Sequence, residues 1–172
     1  MMENHYKQIL EIIQNMSIAM ERSPTAFAKL EEEHLRFHFL IQLNGVYEGE
    51  AMGEAFNYQG KTDILVRSGG HNLFIAECKF WGGEQVLLDT TDQLFRYVTW
   101  RDTKTAVIMF VKKKTSFTTF VTQARNFMKK HSDYLSGPVE EGETRFRYMF
   151  KHPSHVWASG RFQPHPAPSR QS

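Results

Sequence analysis

The stretch GKTDILVRSGGHNLFIAECKF, residues 60–80, decides how this chain is read. Two apolar runs flank a Gly-Gly pair, the pattern of antiparallel strands joined by a tight turn. Yet Asp63 stands in one arm, and Glu77 and Lys79 stand in the other. Alternation puts Glu77 and Lys79 on one face of their strand. Whether Asp63 joins them depends on register. A regular two-residue turn sets Ser68 opposite His71 and Asp63 opposite Ala76, so that Glu77 points away. A three-residue loop, or a bulge in one arm, sets Ser68 opposite Asn72 and Asp63 opposite Glu77. Bulges are common beside active sites. Only the second register gives the charges a reason to exist, so it is the expected one.

Charges in a half-buried sheet need partners. The plain structural reading is a salt-bridged hairpin, with Asp63 and Glu77 paired to Lys61, Arg67 or Lys79. The flanks weigh against it, because Ile75, Ala76 and Cys78 bracket Glu77 with apolar neighbours. A divalent cation is the other partner. Magnesium prefers oxygen ligands, commonly one or two carboxylates with waters and a phosphate. So held, it polarises a phosphoryl oxygen and generates hydroxide from water. Lys79 would orient that water or stabilise charge building on phosphorus.

GKTDILVR…LFIAECKFW resembles the PD-(D/E)XK nuclease superfamily, whose restriction-endonuclease-like core carries a D…ExK motif on such a hairpin. Asp63 matches the family aspartate, and Glu77-Cys78-Lys79 match ExK. Thr62 stands where the family often has proline. The resemblance spans residues 30–111. It implies a nuclease that hydrolyses phosphodiester bonds with Mg²⁺ or Mn²⁺. The metal ligands would be Asp63, Glu77 and the backbone carbonyl of Cys78, and Lys79 would assist water attack. It also implies a glutamate from a preceding helix, where LEEEHLRFHFL offers Glu31, Glu32 and Glu33. Glu32 shares a helical face with Arg36, and Glu33 with Phe37; the choice between Glu32 and Glu33 stays open. In QLFRY, Gln93 and Tyr97 are similar to the QxxxY signature of the exonuclease-like branch, whose glutamine faces the active site. The implied substrate is nucleic acid, DNA ahead of RNA, in defence, repair or mobile-element biology. The alternative is a non-catalytic nucleic-acid-binding or assembly module that keeps the fold.

The chain has 172 residues, enough for one domain with one core, expected over 1–160. The proline-rich end, 161–172, is expected to be loose. Net charge is +2, from 21 basic and 19 acidic residues, and excludes no partner class. A single cysteine, Cys78, excludes an intramolecular disulfide framework and a multi-cysteine zinc site. Alternation points its thiol away from Glu77, as an inert core group. The first residues lack signal-peptide character, and no apolar run is long enough to span a bilayer. The expectation is a soluble cytoplasmic protein without a membrane partner. Little chain remains for a sensor domain, so control of a nuclease would fall to a regulatory partner or a homodimer. Lys112, Lys113 and Lys114, with Tyr97, are candidate nucleic-acid contacts. Lys129 and Lys130 close a helix, where cations are favoured anyway. His34 and His38 have helical spacing but lack the glutamate of HExxH.

The expected order is α-α-β-β-β-α-β-α-β, an α/β chain with a mixed central sheet flanked by helices. The first helix runs over 4–20, and a second over 25–43 turns Leu30, Phe37, Leu40 and Ile41 inward and stops at Asn44-Gly45. Ser23 and Pro24 suit the start of the second. A strand falls within 47–58, the two arms at 61–67 and 72–79. LLDTTDQLFRYVTWRD reads as a helix with Asp89, Thr90 or Thr91 near its start. TAVIMFV reads as a strand buried on both faces, SFTTFVTQARNFMKKH as a helix, and TRFRYMF as a last, edge strand.

Overall fold

A computed structural model of the chain describes residues 2–57, 60–99, 102, 104–112 and 116–151. Helix α1, Met2–Arg22, forms as the apolar spacing predicts, burying Tyr6, Ile9 and Ile13. Pro24 opens the short helix α2, Pro24–Phe27, after Ser23, whose hydroxyl makes no cap bond. The expected second helix is broken here. Glu31 is extended, its carbonyl accepts the Leu35 N–H, and α3 starts afresh as Glu32–Tyr47. It passes through Asn44-Gly45 and ends where Glu48 turns left-handed at φ 49°. Phe37 and Ile41, expected inside, face solvent. The buried stripe is Leu35, Phe39, Leu40, Leu43 and Tyr47.

Three antiparallel strands follow: β1 (Ala51–Asn57), β2 (Gly60–Ser68) and β3 (His71–Phe80). Helix α4, Glu84–Tyr97, then crosses to β4, Thr105–Phe110, which pairs parallel with β3. The four-stranded sheet has the order β1-β2-β3-β4. The mixed α/β sheet flanked by helices is therefore the architecture expected. α4 begins earlier than expected, because Gly82-Gly83 already ends the strand and Gly83 holds the N-cap position. Thr90 and Thr91 lie inside the helix, their hydroxyls donating back to the Val86 and Leu87 carbonyls.

Alternation along β2 and β3 divides the core in two. Ile64, Val66, Phe74, Ala76 and Cys78 pack with Ile9, Phe39 and Leu43 of α1 and α3. Leu65 and Ile75 pack on the other face with Leu94 and Phe95 of α4. β4 corrects another expectation. It lies at the sheet edge, half-buried beyond Thr105, rather than covered on both faces. Its apolar run lines a cavity of about 840 Å³ between α1, β4 and the C-terminal elements.

Helix α5, Phe117–Phe127, forms as expected, with Trp81 against Phe120 and Phe127. After a short 3-10 turn come β5, Tyr134–Glu140, and β6, Phe146–Phe150. These pair in a separate two-stranded sheet, so the last strand is not an edge of the central one. β5 was not foreseen, because Gly137-Pro138 interrupts its pattern. Lys113, Lys114, Trp100 and segment 161–172 lie outside the described residues. Among those described, no helix is long and apolar enough to cross a membrane.

Candidate active site

Gly69 and Gly70 have φ of 56° and 78°, the conformation of a tight two-residue hairpin turn. Ser68 therefore faces His71, not Asn72 as expected. Two rungs on, the register shifts. Arg67 faces Asn72 but Val66 faces Phe74, which leaves Leu73 as an extra residue in β3. The turn of one option and the bulge of the other occur together. From the bulge onward Leu65 faces Ile75 and Ile64 faces Ala76. One rung further, the same register sets Asp63 level with Glu77.

There the backbone ladder stops. The N–H groups of Ile75 and Trp81 donate to carbonyls of Lys104 and Phe110 on the β4 side. By alternation the N–H and C=O of Cys78 face β2. Asp63 Oδ2 accepts that N–H at 2.8 Å, and Thr62 Oγ1 donates to the Ala76 carbonyl at 3.0 Å. Side chains thus replace the next rungs of the hairpin. The Cys78 carbonyl leaves the strand on this same side, where it was expected to act as a ligand.

Both helical layers reach this end of the hairpin. From α3, Arg36 Nη1 donates to Asp63 Oδ1 at 2.5 Å. One turn earlier, Glu32 Oε2 accepts the Phe80 N–H at 2.9 Å, and its Oε1 lies 3.3 Å from Lys79 Nζ. Glu33 is exposed and makes none of these contacts, so of the two candidates it is Glu32 that meets the hairpin. Arg36 was not anticipated as a site residue. Its signal was the four-residue spacing from Glu32, which places both on one helical face. From α4, Gln93 Nε2 donates to Glu77 Oε2 at 2.9 Å. Tyr97 follows one turn later, half-buried.

Glu77 is 1% exposed, and its Oε1 has no hydrogen-bond partner among the described residues. Burial, and next the negative charge of Asp63, push its carboxyl from an ordinary 4.5 up to about 8. A buried carboxyl oxygen without a donor is an unmet demand for a proton or a cation. Asp63, by contrast, is already balanced by Arg36. The oxygen donors suit magnesium, which takes one or two carboxylates and completes its shell with water and phosphate. No cluster of three or more His, Cys, Asp or Glu side chains suited to a metal occurs among the described residues. The protein's share would therefore be the two carboxylates and the Cys78 carbonyl. The Cys78 thiol lies in the core on the opposite face, where burial pushes its pKa up.

The basic groups divide. Lys79 is half exposed. Lys112 lies over the Phe80 ring, 4.4 Å from its centre, at the same end of the sheet. Lys130 pairs with Glu84, and Arg145 and Arg147 pair with Glu141. These three serve local ion pairs. Replacing Gln93 with alanine removes the donor to a buried carboxyl. It is expected to cost about 1–3 kcal/mol, measured by urea unfolding against the parent chain at neutral pH.

No family model matches this chain, and no curated protein or solved structure matches it either.

Proposed function

We propose that the chain is a divalent-metal-dependent nuclease with a restriction-endonuclease-like core, acting on nucleic acid, DNA ahead of RNA. The observation that carries this reading is the buried Oε1 of Glu77, which has no hydrogen-bond partner among the described residues and is held level with Asp63 where the hairpin stops pairing. An oxygen so placed is costly in a purely structural hairpin and useful beside a cation. Asp63 and Glu77, with the Cys78 carbonyl, would hold Mg²⁺ or Mn²⁺. The cation supplies charge for a phosphoryl oxygen and lowers the pKa of a bound water. Gln93 fixes the plane of the Glu77 carboxyl. Glu32 steers the Lys79 ammonium, whose charge suits the attacking water or the phosphorane. Lys112 and Tyr97 are nearby candidates for contact with the polynucleotide. The buried single cysteine suits a reducing cytoplasm.

One observation favours a second reading, a nucleic-acid-binding or assembly module that does not cut. Asp63 already accepts from Arg36 and the Cys78 N–H, and Lys79 is paired with Glu32. Incubation with supercoiled plasmid and with single-stranded DNA and RNA, in Mg²⁺, Mn²⁺ or chelator, separates the two. Cutting in metal and none in chelator is the expected result. Binding without cutting in either metal favours the module. Neither binding nor cutting at low salt rejects both.

A further inference from the structure

Helix α3 is apolar around most of its circumference. Its inner stripe is buried, yet Phe37 is 60% exposed and Ile41 is 49% exposed on the outside. Helices apolar on all sides are normally covered on all sides, and clustered exposed apolar side chains mark interaction surfaces. Gly45 continues the outer stripe, four residues beyond Ile41 as Phe37 is four before it. Glycine inside a helix is destabilising relative to alanine. Gly45 is not at positive φ, and a Cβ there would meet nothing within 4 Å. Neither backbone conformation nor local packing accounts for it. It leaves an open notch in the outer face.

The order of residues along this stripe is self-complementary. A two-fold axis through Ile41, with the helices antiparallel, lays Phe37 of each copy over the Gly45 notch of the other. Ile41 meets its counterpart. The same operation brings exposed His34, seven residues before the axis, toward the end of the partner helix that exposed Glu48 caps, a carboxylate that an imidazole N–H can meet. A two-fold interface requires one surface to complement itself in this way.

We propose that two copies of this chain pair through the outer face of α3, antiparallel about Ile41, with each Phe37 seated on the partner's Gly45. Because Glu32 and Arg36 occupy the inner face of that helix, such a dimer holds two candidate sites in fixed relation. The pairing stands whether or not those sites cut nucleic acid.

The test uses the full chain. Sedimentation velocity across a concentration series is expected to show a monomer–dimer equilibrium for the parent. Ile41→Cys, at the axis, is expected to form an intermolecular disulfide under mild oxidation, while the parent, whose only cysteine is buried, does not. Gly45→Leu fills the notch and favours the helix, so it is expected to lose the dimer while its thermal midpoint holds or rises. Phe37→Asp is expected to lose the dimer without unfolding, since the side chain is mostly in solvent. A parent chain that stays monomeric at every concentration overturns the proposal and leaves the face to a different protein. A dimer that survives Gly45→Leu overturns it as well.

Discussion

Asp63→Asn is expected to slow metal-dependent cleavage by about a thousandfold or more, roughly 4 kcal/mol of transition-state stabilisation. The amide keeps the shape of the carboxyl, so one oxygen can still accept the Cys78 N–H or the Arg36 guanidinium. It removes one of the two charges that would hold the cation, leaving Glu77 and the Cys78 carbonyl. Lys79→Ala is expected to lose about a hundred- to a thousandfold, with metal affinity little changed because Lys79 is not a ligand. The two glutamates at the start of α3 provide the internal control. Glu32→Ala should slow the reaction by releasing Lys79, whereas Glu33→Ala, changing an exposed residue, should leave the rate at that of the parent. Initial rates on plasmid in Mg²⁺, with thermal midpoints alongside, read all four. Undiminished cutting by Asp63→Asn would end the metal-site assignment. Equal rates for the two glutamate variants would remove Glu32 from it.

The other large effect concerns stability without metal. Folded, Glu77 titrates at about 8; unfolded, it returns to its ordinary 4.5. Between those values the folded chain holds a proton that the unfolded chain gives up. The contribution of this group is therefore complete below about 4.5 and drains away as pH rises to about 8. The gap corresponds to a few kcal/mol, at most on the order of 5. Glu77→Gln carries a neutral group at every pH and cannot show this loss. In chelator, the variant should match the parent near pH 5 and exceed it by several kcal/mol near pH 8–9. Urea unfolding across that range supplies the comparison. If the difference between the two chains does not change with pH, Glu77 is already ionised in the fold, and the account of its unmet oxygen is wrong. Saturating Mg²⁺ should return the lost stability to the parent and not to the variant, since ligand binding to the folded state alone stabilises it.

Much of this site was legible before any coordinates. Strand alternation and the apolar flanks of Glu77 are local properties, and they were enough to put Glu77 and Lys79 on one face and to mark Asp63 as a candidate beside them. The register was legible only as a pair of options, because Gly69-Gly70 accommodates either turn. The shift at Leu73 has no local signature, since leucine there fits a regular strand equally well. The faces of α3 were ambiguous for a different reason. Its outer stripe of Phe37 and Ile41 is as apolar as its inner stripe of Leu35, Phe39 and Leu43, so periodicity could not choose between them. Packing against α1 and the sheet chose, and the choice carried Glu32 and Arg36 to the hairpin and turned Glu33 outward. For β4, an unbroken apolar run reads as a strand buried on both faces, yet such a run also suits an edge strand that lines a cavity.

The extra residue in β3 has a consequence for how kindred chains should be recognised. The pairs from Val66 and Phe74 onward run without further interruption to the acidic end of the hairpin. Adding a single codon between Ile75 and Ala76 would rotate Glu77 into the layer now held by Cys78, while every letter of the D…ExK signature survived. Such a sequence would pass a motif search and have no site. Deleting Leu73, by contrast, would straighten the arm and leave the acidic pair aligned. Counting residues modulo two between the tight turn and the glutamate, with any bulge allowed for, therefore tells better than the motif letters whether the acidic pair can align.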